Sequence, residues 1–292
     1  KVISYEKVYD GNYEIEAKVF RPARPVAAIQ ILHGMAEHLE RYNEFCTWLM
    51  ANDIHVVIHN HRGHGKDAEN PGHFERFNDL ITDALAVKSL IPGDLKTFIL
   101  GHSMGSIVAR RLLATHEYDA GIIVGTGNKD GIMDGPLSQL MNITKRIRPQ
   151  MKGDLLTNLA FLGYDKHFPE TLENRWLCSD MEIVQSYNED EYCGRHMSFN
   201  ALAEIVKSIR LTNSNHVLGR YQTDIPILLI GGKQDPFSDF GRDIRELAKN
   251  LIRYTDSVTV QLYEKSRHEV LNEKNREQVY QKLLEWVMLR VD

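Results

Sequence analysis

The sequence predicts an α/β fold: a mostly parallel sheet, helices on both faces, and a helical segment set into the chain between two of its strands. Two observations carry this. Apolar runs of strand length recur without polar alternation, each followed by a stretch of helical spacing, which is the pattern of strands buried on both sides. That rhythm stops near residue 128 and returns near residue 216.

The first elements differ from the rest. Ser4 to Tyr9 and Tyr13 to Phe20 alternate polar and apolar residues around Asp10-Gly11, a hairpin signature read as a type I′ turn. Ala27 to Leu32 is an almost continuous apolar strand ending in His33-Gly34, and Arg41 to Ala51 has helical spacing with Phe45, Trp48 and Leu49 on one face. Ile54 to Ile58 is a strand and Asn78 to Leu90 a helix; Thr97 to Leu100 is a strand and Ser106 to Ala114 a helix; Gly121 to Val124 is a further strand. After the interruption come a strand at Ile225 to Ile230, a helix near Arg242 to Leu251, a strand at Val258 to Tyr263 and a helix near Asn275 to Leu289. The expected organisation is a core over 1–127, a helical cap over 128–215, and the rest of the core over 216–292. The cap segment is rich in Met and Leu, with Met133, Leu137, Leu140, Met141, Met151, Leu155, Leu156, Leu159 and Leu162. Such a face suits either a packed core or an apolar substrate surface.

Composition limits the function classes. Hydrophobic residues are 42% and charged residues 26% of 292, with a formal net charge of −5. Those values belong to an ordinary globular protein and lack the basic excess of a nucleic-acid binder. Cys46, Cys178 and Cys193 are odd in number and widely spaced, which does not suggest a disulfide framework. No stretch approaches a membrane span and the first residues carry no apolar signal region, so a cytoplasmic protein without stable membrane insertion is expected. The oligomeric state is left open.

Gly101-His102-Ser103-Met104-Gly105 matches G-x-S-x-G. Composition alone gives such a match roughly one time in ten in a chain of this length, but this one lies between a buried strand and a helix, the context a nucleophile elbow requires. A serine hydroxyl needs a base, and in this arrangement the chain order is Ser, acid, His. Asp235 follows the strand at 225–230 and His268 follows the strand at 258–263, both where sites form in open α/β sheets. Ser103 is therefore the expected nucleophile, His268 the acid/base and Asp235 the group that orients the imidazole. Asp239, expected inside the next helix, and Glu264 and Glu269, beside the histidine, are the rival acids. The N–H groups of Met104 and Met35 are the expected oxyanion donors. Gly34, Glu37, Arg41 and His102 are candidates for the substrate-binding set; His38 joins Glu37 and Arg41 as candidates for the polar end of the pocket, with loop anchoring as the alternative. A base that must be neutral predicts activity falling below a pH near the histidine reference value of about 6.5. His55, His59, His61, His64 and His73 lack acidic or cysteine partners at ligand spacing, so no metal is expected.

Several of these segments resemble one family. His33-Gly34-Met35-Ala36-Glu37-His38 with Arg41-Tyr42, Arg62-Gly63-His64-Gly65, and the Gly101 to Gly105 elbow are similar to motifs of the monoacylglycerol lipase and lysophospholipase group, which takes in serine aminopeptidase-like hydrolases. Trp176-Leu177-Cys178-Ser179-Asp180 and Tyr187 to Gly194 look like a cap signature of its bacterial members. Asp235-Pro236 and Arg267-His268-Glu269 look like its acid and histidine segments. The resemblance runs from about residue 27 to 290. It implies the α/β-hydrolase fold, with a mostly parallel eight-stranded sheet and an inserted helical cap, hydrolysis of carboxylic esters (monoacylglycerols, lysophospholipids or short acyl esters), and no cofactor. The chain departs from the pattern at Asn60-His61, Lys66-Asp67, Ser106 and Val124-Gly125-Thr126-Gly127, which bears on substrate and leaves the Ser, Asp and His intact. A peptidase or amidase on the same residues, or a non-catalytic receptor on this fold, are the alternatives.

Overall fold

The computed structural model describes residues 1–127, 144, 146–153, 161 and 163–291. Eight strands form one sheet in the order β1-β2-β4-β3-β5-β6-β7-β8. They are β1 (Val2–Asp10), β2 (Tyr13–Arg21), β3 (Ala27–Leu32), β4 (Ile54–His59), β5 (Thr97–His102), β6 (Ala120–Val124), β7 (Ile227–Gly232) and β8 (Val258–Tyr263). The pairings of β1 with β2 and of β2 with β4 are antiparallel; the others are parallel.

The hairpin turns one residue later than its Asp-Gly pair suggests. Asp10 pairs with Tyr13 as the last rung of the ladder, so Gly11 and Asn12 form the loop. Only Gly11 of the two has positive φ, at 58°. A glycine first and a single positive φ fit a type II′ turn, not I′.

The central strands β3 to β7 are buried along their whole length, as their mainly apolar, non-alternating runs require. Their side chains alternate between two cores. On one face Ile99, Ile123 and Leu229 meet helices α2 (Phe77–Lys88), α3 (Met104–Leu113) and the later helix Arg242–Leu251. On the other, Phe98, Leu100, Ile122 and Leu228 meet α1 (Asn43–Ala51) and the final helix Arg276–Met288.

Between β6 and β7 the regular elements among the described residues are helices, joined by turns and loops. Asp180 caps the helix Met181–Glu189 by accepting from Glu182 N–H, and Ser198 caps Phe199–Thr212 by accepting from Ala201 N–H. The second of these helices, with Val217, Leu218 and Tyr221, joins the same core as α2 and α3, so the segment from Met197 onward is packed into the body of the sheet domain. Of the Met/Leu positions read as a cap face, only Met151 is described, and it is half exposed. Met133, Leu137, Leu140, Met141, Leu155, Leu156, Leu159 and Leu162 lie outside the described residues.

The turn from β5 into α3 has no room for side chains at its two glycines. A Cβ on Gly105 would collide with the carbonyl oxygens of Leu32 and His33, and one on Gly101 with the carbonyl of Gly105. Gly105→Ala is therefore expected to destabilise the fold by about 3 kcal/mol, the upper range of overpacking costs, read as a lowered urea midpoint with an unchanged slope.

Candidate active site

Four loops meet at the C-terminal ends of β3, β5, β7 and β8, and they carry the residues singled out from the sequence. Ser103 sits at the joint of β5 and α3 with φ 53° and ψ −118°, a left-handed conformation costly for a side-chain residue and typical of functional turns. Its N–H donates to Val124 O at 3.0 Å, which fixes the turn to β6. Two of the family departures explain each other here. The Ser106 hydroxyl donates to Ser103 O at 2.5 Å and shares a 2.8 Å hydrogen bond with the Thr126 hydroxyl, so a buried hydroxyl pair stiffens the elbow from behind.

Asp235 is fully buried in the turn after β7. Its Oδ1 accepts from Phe237 N–H at 2.9 Å, and its Oδ2 lies 3.0 Å from Nδ1 of His268. A carboxylate at Nδ1 selects the tautomer with its proton there and leaves Nε2 as the acceptor. Asp239 is not in the next helix: it has φ 51° in the turn before Arg242–Leu251 and pairs with Arg242. Glu264 pairs with Lys233 at the surface. Neither takes the place of Asp235 beside the imidazole. The His268 ring is held among Trp176, Phe237 and His102, with centroids 4.9, 5.0 and 4.9 Å away.

Ser103, His268, Gly34, Met35, Glu37 and His102 line one cleft of about 670 Å³, within the usual range for small-molecule sites. Trp176, Leu177, Tyr187 and Phe237 form its apolar wall; Asp165, Lys166, Arg195 and His196 are also at its lining. Met104 begins α3, where the N–H has no intrahelical acceptor.

The remaining candidates form a buried polar strut. Glu37 Oε1 accepts from Gly34 N–H at 2.6 Å and from Tyr42 O–H at 2.8 Å, and is 3.1 Å from His102 Nδ1. His102 Nε2 reaches His268 O at 3.3 Å. Arg41 grips Glu37 Oε2 at 2.6 Å and takes both carboxylate oxygens of Glu269, at 2.6 and 2.7 Å, with Tyr187 against its other face. Its guanidinium is thus spent on two carboxylates, joining the loop after β3 to the loop after β8. Burial opposes charge on Glu37, but the hydrogen bond from His102 and the charge of Arg41 outweigh it and hold the carboxyl well below its ordinary range. Burial opposes charge on His102 as well, but its hydrogen bond to Glu37 together with the charges of Glu37 and Glu269 outweighs that, raising the imidazole above its ordinary value. Sequence reading missed Trp176 and Phe237 as the packing around His268, although Trp176 lies in a quoted motif. It weighed Glu269 only as a rival acid.

The loop histidines behave differently. His61 N–H donates to His33 Nε2 at 3.0 Å, and His33 Nδ1 donates to Gly34 O at 2.7 Å, which makes His33 neutral. Burial pushes His59 and His64 down to about 4 and His33 and His61 well down also. A base whose folded value is depressed contributes stability that is complete above its unfolded value near 6.5 and is lost as the pH falls toward 4. The melting temperature is therefore expected to fall steadily from pH 7 to pH 4.5. His59, whose ring nitrogens have no hydrogen-bond partner, offers the check: His59→Phe should make that fall shallower.

The fold and this arrangement of loops define an α/β hydrolase of the lipase and esterase type. The profile of the serine aminopeptidase S33 family matches residues 23–275, and the chain belongs to that family. Phospholipase YtpA of Bacillus subtilis is 26% identical over 266 residues, 88% of this chain and 93% of its own length. Human monoglyceride lipase is 35% identical over 105 residues, 34% of each chain. The chain spans only 27% of the length of a matching uncharacterised abhydrolase domain-containing protein of Dictyostelium discoideum. Among solved structures, one described as a lipase in open form superposes with a TM-score of 0.89 at 25% identity over the full length of both chains. No helix among the described residues is long and apolar enough to cross a membrane.

Proposed function

We propose that this protein is a serine carboxylic-ester hydrolase that works through an acyl-enzyme. The observation that carries the reading is the meeting of Ser103, in its left-handed turn, with His268 in one cleft, the imidazole backed at 3.0 Å by the buried Asp235. Ser103 Oγ attacks the ester carbonyl, and His268 Nε2 takes its proton and then gives it to the departing alcohol. Asp235 orients the ring and stabilises the imidazolium. The N–H groups of Met104 and Met35 receive the oxyanion; one such donor is worth about 2.7–4 kcal/mol of barrier. Water then repeats the cycle on the acyl group. Gly34 and His102 hold the loop and the ring, while Glu37 and Arg41 serve the substrate by fixing the loop that carries Met35.

We place the 128–215 insertion as a cap whose part before Met197 covers the cleft, the later part being packed into the sheet domain, and the substrate among monoacylglycerols, lysophospholipids or short acyl esters. The apolar wall of Trp176, Leu177, Tyr187 and Phe237 suits an acyl chain, and relatives named as phospholipase and monoglyceride lipase support the class. The three cysteines are free and buried, which suits a reducing cytoplasm. The peptidase reading needs a carboxylate in the cleft free for an α-amine. Asp165 at the cleft lining already accepts from the N–H groups of Asn174 and Trp176, which leaves Glu173, at the same lining, as the carboxylate for that role. Rates on p-nitrophenyl acyl esters, a monoacylglycerol and aminoacyl-naphthylamides decide the matter. Ester kcat/KM is expected to exceed the naphthylamide value by about 100-fold, the order of discrimination an apolar pocket gives between related substrates. Faster turnover of the naphthylamide would overturn the ester reading.

A further inference from the structure

A groove of about 990 Å³ lies apart from the reaction cleft, lined by neither Ser103, Asp235 nor His268. Its wall includes His38 and Asp190, and Glu69, Glu189 and Glu191 also line it. Behind these stands the buried thiol of Cys193. His38 Nε2 is 2.7 Å from Asp190 Oδ2, and one ligating atom from each of His38, Asp190 and Cys193 lies within 4.8 Å of the others. Among the described residues this is the one group of three or more His, Cys, Asp and Glu side chains with that property.

We propose that His38, Asp190 and Cys193 form a zinc-type metal site that fastens the segment after helix Met181–Glu189 to the loop bearing Met35. Imidazole nitrogen, carboxylate oxygen and thiolate sulfur are the ligands of tetrahedral zinc, at about 2.0–2.3 Å from the ion, which puts ligand atoms roughly 3.3–3.7 Å apart. The three atoms need only small shifts to reach that spacing. The protein half of the site is already shaped: Tyr192 N–H donates to Asp190 Oδ1 at 2.8 Å, and Cys193 N–H to Asp190 O at 3.0 Å. This Asp-x-x-Cys turn presents both ligands from one side, leaves Oδ2 for the metal, and ends in Gly194 at φ 65°. His38 and Asp190 both line the groove, whose Glu69, Glu189 and Glu191 raise the local cation concentration. Histidines 55 to 73 offered no such set from sequence, because here the ligands are contributed by segments about 150 residues apart.

The site is placed to act on the neighbouring loop. Gly194 N–H donates to Ala36 O at 2.9 Å and Tyr187 O–H to the same oxygen at 3.1 Å, and Ala36, at φ 57°, follows Met35 directly. Without metal the His38–Asp190 hydrogen bond makes the same connection. With metal, the thiol proton of Cys193 leaves to solvent, the ion takes its place, and the connection becomes a three-ligand clamp. The inference stands on binding alone and does not depend on which ester the protein cleaves.

Cobalt(II) chloride titrated into the protein under reducing conditions tests it. The expected result is one equivalent bound, with thiolate-to-cobalt charge-transfer absorption and intense four-coordinate d–d bands, displaced by zinc chloride. Cys46 and Cys178 are fully buried elsewhere, so the thiolate signal reports Cys193. Cys193→Ser should abolish the charge-transfer band. Asp190→Asn, which keeps the acceptor for Tyr192 N–H, should weaken zinc binding ten-fold or more in competition with a chromophoric chelator. Absence of thiolate–cobalt absorption in the wild-type protein at one equivalent overturns the proposal whatever the variants do. So does zinc affinity unchanged in both variants, if circular dichroism shows them folded.

Discussion

Ser103→Ala is expected to lower kcat on ester substrates by about 10⁴-fold or more while the protein folds as before. The size follows from how the parts act as a unit: removing the nucleophile of a Ser-His-Asp set leaves only what binding and the oxyanion donors provide. The structure gives little reason for collateral damage. The hydrogen bonds of Ser103 to Val124 and to Ser106 at the α3 N-terminus are made by its backbone. At φ 53° an alanine meets the same strain as the serine. Steady-state rates on a p-nitrophenyl ester, with a thermal melt of the same sample, check both halves of the expectation. A rate within ten-fold of wild type would remove Ser103 from the mechanism.

The largest effect on stability is expected at Arg41. Arg41→Met keeps the bulk of the side chain but leaves Glu37 and Glu269, each about 4% exposed at the side chain, without the guanidinium that neutralises them. Removing one member of a buried ion pair costs about 3–5 kcal/mol, chiefly because the remaining charge is stranded. Glu37 retains His102 and Tyr42, so the damage should concentrate on Glu269 and the loop that carries His268. Urea unfolding should show the loss, and kcat should fall more than KM rises, since the strut touches the loops that carry the chemistry and the cleft walls remain. Replacing Glu269 with Gln in the same background should recover part of the stability, because it takes away the stranded charge. Stability unchanged in Arg41→Met would mean the strut does not hold the two loops.

The sheet was legible in the sequence because burial on both faces writes itself as mainly apolar, non-alternating runs. The spans Val258–Tyr263 and Arg242–Leu251 are the same in sequence and structure, and the others differ by a few residues at their ends. The turn after β1 was misread because Asp-Gly is a strong local signal and the ladder, a pairwise property, ran one rung further. Ser103, Asp235 and His268 could be singled out because each follows a strand end in a fixed chain order. The Arg41–Glu269 pair could not be, since residues 228 apart meet only through the folded sheet. The same limit hid the hydroxyl pair of Ser106 and Thr126: each read as an unexplained departure, and only their 2.8 Å contact shows that one accompanies the other. The helical segment was visible as a break in rhythm. The packing of Phe199–Thr212 against α2 and α3 was not, because an apolar helix face looks the same whether it covers a substrate or a core.

The central claim is that Ser103 is a nucleophile activated in its cleft, and covalent labelling tests it most directly. A fluorophosphonate incubated with the protein, followed by intact mass and peptide mapping, should give one adduct per chain. The adduct should sit on the peptide carrying Gly101 to Gly105, at Ser103, with ester hydrolysis lost in proportion to labelling and no adduct on Ser103→Ala. Ester hydrolysis undiminished in protein that the probe fails to label at Ser103 would contradict the account.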